Sequence, residues 1–298
     1  MKAKTIFTAI FLICICAFAA FSFKDIIGNN LMVINKEETD NQAEENVQII
    51  EDEEEKEENT EEIKEDKKEV IEYIELDPSE VYVPILMYHS IADLDPTNNL
   101  MVPTSQFEEQ VKWLKENGFT SMLMGDVISS LKTGKVPKKP VAITFDDGYV
   151  DNYTNAYRIL KKYDMKATFF IITDNTDKDP AYMSLNMLKE MKESGMAIES
   201  HTANHLELDK LSREDKVYSI RQAKDFLKNN LGIENKYLCY PVGKCDNETI
   251  EVAKELGIEG AVTTQNGFSN IKNGELQLKR VRISPIEIET FKGIFSEF

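Results

Sequence analysis

The chain has 298 residues, 42% of them hydrophobic, and a formal net charge of −18. The charge is uneven: residues 37–69 hold 17 acidic side chains against 4 lysines, a net −13, which leaves −5 for everything else. No basic face is left to meet a phosphate backbone, so nucleic acid is excluded as a partner. The four cysteines include no CxxC pair, which excludes a zinc ribbon or a disulfide framework.

In chain order, residues 1–24 read as a signal peptide or a membrane anchor. Lys2 and Lys4 precede an uncharged run over 5–23, long enough to span a bilayer, with Ala17-Phe18-Ala19 as a small-residue cleavage site. Lysines ahead of the run keep the N-terminus inside and place the rest outside the cytoplasm. Residues 25–76 read as a disordered acidic linker, because Glu51-Asp52-Glu53-Glu54-Glu55 and its surroundings show no apolar period.

From 77 to 298 strand and helix signals alternate. A strand over 81–87 ends at Tyr88-His89-Ser90. Ser105 with Glu108 makes a capping box for a helix to Asn117, and a short strand over 119–123 and a helix over 126–131 follow. The apolar run 140–145 stops at Asp146-Asp147-Gly148. A helix over 150–163 leads to a buried strand over 167–173. Ser184 caps a helix stopped by Gly195, and the strand 196–200 ends in His201. Ser212 caps a long helix to Leu231. The strand 236–240 ends at Pro241, and Asp246 caps a helix closed by Gly257. Strands over 260–263 and 278–283 come next, and Ser284-Pro285-Ile286-Glu287 makes a last capping box. Repeated strand–helix units mean a parallel sheet covered by helices; seven or eight of them fit a closed or nearly closed α/β barrel, with an open doubly wound sheet as the alternative. No GxGxxG or phosphate loop is present, so nucleotide binding has no support. Cys239 and Cys245 flank a strand end and could pair outside the cell, though nothing requires it.

In a parallel barrel the C-terminal strand ends share one face, which carries the chemistry. All three histidines of the chain, His89, His201 and His205, fall there, together with Asp146 and Asp147. His201-Thr202-Ala203-Asn204-His205 has metal-ligand spacing without the glutamate of a zincin. Either aspartate completes a two-histidine, one-carboxylate set; the other is free to take a proton from water, and His89 is suited to protonate a leaving amine.

These residues carry a resemblance. Thr144-Phe145-Asp146-Asp147-Gly148-Tyr149 with His201-Thr202-Ala203-Asn204-His205 resembles the first two motifs of the polysaccharide deacetylases, the NodB-homology or carbohydrate esterase family 4 group, and Tyr240-Pro241-Val242-Gly243 resembles the third. Ile85-Leu86-Met87-Tyr88-His89-Ser90-Ile91 is similar to the branch of poly-N-acetylglucosamine deacetylases. The resemblance implies a deformed (β/α)7-8 barrel and a divalent metal, usually zinc, with cobalt or nickel as alternatives. It implies removal of N-acetyl groups from a glycan of poly-N-acetylglucosamine or peptidoglycan type. It makes Asp146 the base and Asp147, His201 and His205 the ligands. It makes Tyr240, Pro241 and Val242 a substrate-binding turn whose Val242 N–H helps hold the oxyanion, and Arg282 the late arginine that orients an acidic group. The chain departs twice from the family pattern. No histidine follows His205, so the acid falls to His89, and Val242 stands where an aromatic ring is usual. An O-acetyl esterase with the same site and a catalytically silent glycan-binding protein are the competing expectations. Membrane contact is expected only through the N-terminal segment.

Overall fold

The computed structural model describes residues 71–298. The expected signal or anchor over 1–24 and the linker up to residue 70 lie outside the described residues. Among the described residues no helix is long and apolar enough to cross a membrane.

The strands in chain order are β1 (Tyr73–Glu75), β2 (Ile85–Tyr88), β3 (Ser90–Ile91), β4 (Met101–Val102), β5 (Thr120–Met122), β6 (Lys135–Pro137), β7 (Pro140–Phe145), β8 (Thr168–Ile171), β9 (Ala197–Ser200), β10 (Tyr237–Cys239), β11 (Gly260–Asn266) and β12 (Leu278–Arg282). The helices are α1 (Thr104–Glu116), α2 (Met124–Thr133), α3 (Arg158–Lys162), α4 (Leu185–Glu193), α5 (Arg213–Leu231), α6 (Asn247–Glu255) and α7 (Ile288–Gly293). Seven parallel strands, β2, β7, β8, β9, β10, β11 and β12, close into a ring through β12–β2 pairing. The ring is deformed on one side. β5 pairs with Pro140–Ala142 at the start of β7, whereas β8 pairs only with Thr144 and Phe145 at its end. β5 therefore fills the lower gap in the wall, stitched by Lys166 N–H to Ser121 Oγ at 2.8 Å and Met124 N–H to Thr168 Oγ1 at 3.2 Å.

β2, β7 and β8 are buried throughout, as strands covered on both faces must be. Alternation divides them. Ile85, Ala142, Phe170, Cys239, Val262 and Leu278 share the barrel interior, while Leu86, Ile143, Phe145, Phe169 and Ile198 pack outward under the helices. The inward row of β7 thus runs from Ala142 through Thr144 to Asp146.

The caps at Ser184, Ser212 and Asp246 form, each side-chain oxygen accepting a backbone N–H three residues on. Two expected caps do not. α1 starts at Thr104 behind Pro103, so Ser105 lies inside the helix, and α7 starts behind Glu287 rather than Ser284. The ordered fold also begins earlier than residue 77, because Tyr73–Glu75 pairs antiparallel with Lys135–Pro137. The helix expected over 150–163 contains a π turn at Asn152–Tyr157 before α3.

Candidate active site

Asp146 and Asp147 are neighbours that point in different directions. Asp146 continues the inward row of β7, its N–H bonded to Tyr88 O at 3.0 Å. Asp147 and Gly148 then adopt φ of 72° and 84°, and Gly148 N–H turns back to Asp146 O at 2.9 Å. A side chain at Gly148 would lie 2.9 Å from Ile171 Cγ2, so this reversal requires glycine. The reversal delivers the Asp147 carboxylate to the end of β9.

There it meets both histidines. His201 Nε2 lies 3.4 Å and His205 Nε2 3.5 Å from Asp147 Oδ1. The two histidines are not on a helix. Thr202 and His205 have φ of 66° and 55°, and His205 N–H bonds Thr202 Oγ1 at 3.1 Å, so a tight turn brings the rings to 4.7 Å between centroids. His201 Nδ1 lies 2.7 Å from Cys239 O; a carbonyl only accepts, so Nδ1 carries the proton and Nε2 keeps its lone pair for a metal.

The donor atoms of Asp147, His201 and His205 all lie within 4.8 Å of one another. Bonds of roughly 2.0–2.1 Å to a tetrahedral zinc imply donor–donor edges of about 3.3 Å, close to the spacings above. The residues present therefore fit a divalent ion. A second set, Asp146, His201 and Cys239, is equally compact. It is occupied by a cation of the chain itself. Arg280 Nη1 and Nη2 each donate to an Asp146 oxygen at 2.7 Å, and Nη2 also reaches Cys239 Sγ at 3.3 Å.

Burial by itself would push the Asp146 carboxyl up, but the Arg280 guanidinium overrides it and holds the group ionised, well below the usual carboxylate range. Burial likewise opposes ionisation of Asp147, and His201 reverses it. Burial opposes a charge on His201, but Cys239 and Asp147 outweigh it and raise the imidazole, so a metal ion there competes with a proton. His89 Nε2 sits 3.8 Å from Asp146 Oδ2. Burial lowers its pKa, against the pull of Asp146 and Asp147.

Five of the nine expected site residues, Asp146, Asp147, His201, His205 and His89, thus converge. The others need correction or refinement. Tyr240 turns outward: strand alternation buries its ring with Leu238, Val252 and Ala261 beneath α5 and α6, so its side chain cannot line the cleft. Pro241 is buried. Val242 is exposed and left-handed, φ 49°, on the rim turn. Arg282 is exposed at the end of β12 and its side chain makes no hydrogen bond or ion pair among the described residues; the arginine that orients an acidic group is Arg280, two residues earlier and fully buried. The sequence reading missed Arg280, although the alternation of β12 puts Leu278, Arg280 and Arg282 on one face. It also missed the aromatic surface beside the donor set, where Tyr149, next to Asp147, stacks on Tyr182 at 5.2 Å. Cys239 and Cys245 are both free thiols.

Comparison with known proteins agrees with this fold. The family model described as polysaccharide deacetylase matches residues 133–261. The Bacillus subtilis (strain 168) protein YxkH, named as a polysaccharide deacetylase, is 40% identical over 204 residues, 68% of this chain and 72% of its own. A Staphylococcus aureus (strain MSSA476) poly-β-1,6-N-acetyl-D-glucosamine N-deacetylase is 31% identical over 199 residues, 62% and 69% of the two chains. Among solved structures, the Streptococcus pyogenes deacetylase PplD in complex with acetate superposes with a TM-score of 0.67 at 37% identity, covering 69% of this chain and 93% of that one. With the barrel fold and the sequence match in agreement, the chain belongs to the polysaccharide deacetylase family.

Proposed function

We propose that this protein is a metal-dependent N-deacetylase of a glycan containing N-acetylglucosamine, acting outside the cytoplasm. The observation that carries the reading is the separation of the two aspartates: Asp147 faces His201 and His205 as a ligand set, while Asp146 is held apart by Arg280 and faces His89. A zinc ion held by Asp147, His201 and His205 would supply Lewis acidity toward the acetyl carbonyl and the attacking water.

The chain's own residues do the rest. Asp146, kept ionised by Arg280, accepts the proton that water loses as its oxygen bonds to the acetyl carbon. His89, on the other side of Asp146, gives a proton to the amide nitrogen as the C–N bond breaks, and acetate and a free amine leave. Burial lowers the His89 pKa against the pull of Asp146 and Asp147, so the ring gives up its proton readily once it carries one. In this reading the Val242 N–H helps to hold the oxyanion, and the Tyr149–Tyr182 pair offers the aromatic surface that Val242 lacks.

The poly-β-1,6-N-acetyl-D-glucosamine N-deacetylase relative supports an amide substrate and that polymer class. The basic start and uncharged run over 5–23 support delivery across the membrane. The test is acetate release from β-1,6- and β-1,4-linked N-acetylglucosamine oligomers and from a matched O-acetylated glycan. Amide cleavage is expected, with Asp146→Asn and His89→Ala each lowering kcat at least about a hundredfold while zinc content stays whole. Wild-type turnover in either variant removes that residue's role. Release from the ester alone makes the protein an O-acetyl esterase, and glycan binding without acetate release makes it a silent binding protein.

A further inference from the structure

The His201 ring is fixed by its Nδ1–H bond to the Cys239 carbonyl, whereas the His89 ring has only the 3.8 Å approach of Nε2 to Asp146 Oδ2. Among the described residues, His89 Nδ1 is buried without a hydrogen-bond partner. The place of the ring is therefore set largely through its backbone. Ser90 N–H bonds Leu100 O at 3.1 Å in the β3–β4 pairing, and among the described residues every side-chain hydrogen bond to residues 89–91 comes from one place, the turn that follows Asp146 and Asp147. Asn152 Nδ2 donates to His89 O at 2.7 Å. Asp151 accepts from Ser90 Oγ at 2.7 Å with one oxygen and from Ile91 N–H at 2.9 Å with the other. Asn155 Nδ2 donates to Ile91 O at 2.7 Å. Three side chains thus grip three consecutive residues some sixty positions away in the chain.

Two features mark this grip as more than incidental packing. Asn152 and Asn155 lie on the π turn Asn152–Tyr157, a departure from α-helix that recurs mainly at functional sites. Asn152 is also fully buried, and among the described residues its own Oδ1 has no partner. Flipping the amide would set that oxygen against two acceptors, His89 O and Asp151 Oδ1, so the observed orientation is the one these contacts impose. An unpaired buried acceptor is costly for stability, which argues that the residue is there for what its donor does.

We propose that Asp151, Asn152 and Asn155 are positioning residues that hold the His89 ring against Asp146 by clamping the backbone of residues 89–91. The stretch that carries the base and a metal ligand then also sets the place of the acid. The inference rests on His89 being the acid of the proposed reaction.

The experiment is a double-mutant cycle. Acetate release from a β-1,6-linked N-acetylglucosamine oligomer is followed for the wild type, Asn152→Ala, His89→Ala and the double variant, all zinc-loaded and checked by elemental analysis. Asn152→Ala is expected to lower kcat at least about tenfold with KM held within about twofold and zinc content unchanged. In the His89→Ala background the same substitution is expected to change kcat by less than about twofold. Asn155→Ala, at a half-exposed position, is expected to show the same pattern with a smaller loss, and it carries the test if Asn152→Ala fails to fold. Equal losses in both backgrounds reveal a merely structural role and overturn the proposal. Wild-type kcat in the asparagine variants with an impaired His89→Ala overturns the clamp alone. Wild-type kcat in His89→Ala overturns the acid reading and the clamp together.

Discussion

Arg280 and Asp146 are both sealed inside the barrel, and neither is tolerable there alone. Arg280 spends its remaining donors on Thr263 O at 2.9 Å and Thr144 Oγ1 at 3.2 Å, so all three guanidinium nitrogens are engaged. Breaking such a pair strands a buried charge. Arg280→Met is expected to destabilise the fold by about 3–5 kcal/mol in urea unfolding, and adding Asp146→Asn should recover part of the loss; no recovery would mean the arginine acts through packing alone. Glu199 is a buried carboxyl away from the site, bonded to the backbone N–H groups of Tyr237 and Lys236 and to the Asn235 amide. Burial outweighs those donors and pushes it up to about 7 from an ordinary 4.5. The folded state then binds the proton more tightly than the unfolded state. Its stabilising contribution is complete below pH 4.5 and is lost as pH rises through about 7. Glu199→Gln should remove that decline, for a gain over wild type at pH 8 of about 3 kcal/mol. Parallel pH profiles of the two urea midpoints would refute it.

At the scale of elements, the strand ends carry the strain. Asp147, Thr202, His205 and Val242 all have positive φ, and all sit on turns at C-terminal ends of barrel strands around the donor set. A β-branched residue such as Val242 is an outlier in that region, held there by its surroundings. The next residue, Gly243, has φ 73°, and a Cβ there would come within 2.4 Å of Thr264 N. Gly243→Ala is therefore expected to cost about 2 kcal/mol or more, read as a lowered urea midpoint; an unchanged midpoint would show that the turn can shift. Much at this scale was legible. Serine and aspartate caps marked α4, α5 and α6 because a cap is a local contact. The caps expected at Ser105 and Ser284 failed because other residues supply the start: α1 begins behind Pro103, with its first N–H facing Asp93 Oδ2 at 3.4 Å. The β1–β6 and β3–β4 pairs were not anticipated, since two- and three-residue strands leave no periodic pattern to read.

For the whole molecule, the barrel core forms apart from the ligand set, so removing the metal of the proposed reaction should leave a folded chain. A chelator is expected to abolish acetate release and to lower the thermal midpoint, because zinc at about 1,000 times its Kd stabilises by about 4 kcal/mol. In His205→Ala that zinc-dependent shift should be much reduced; an undiminished shift would place the ion elsewhere.

The sequence by itself determined the alternating strand–helix order, the barrel class, and the short-range groupings: Asp146 beside Asp147, His201 four residues from His205, and glycine where the chain reverses. Each is a matter of neighbours in the chain and of apolar runs that must be buried. Tertiary structure decided which face each long-range partner shows. Strand side chains alternate with a period of two, so a single step in register sends a residue to the opposite face. Tyr240 went outward for that reason. Arg280 and Arg282 share a face, and the register of the closed ring selects Arg280 as the one that meets Asp146, 134 residues away. The same closure turns two adjacent aspartates into one that is paired with arginine and one that faces two histidines.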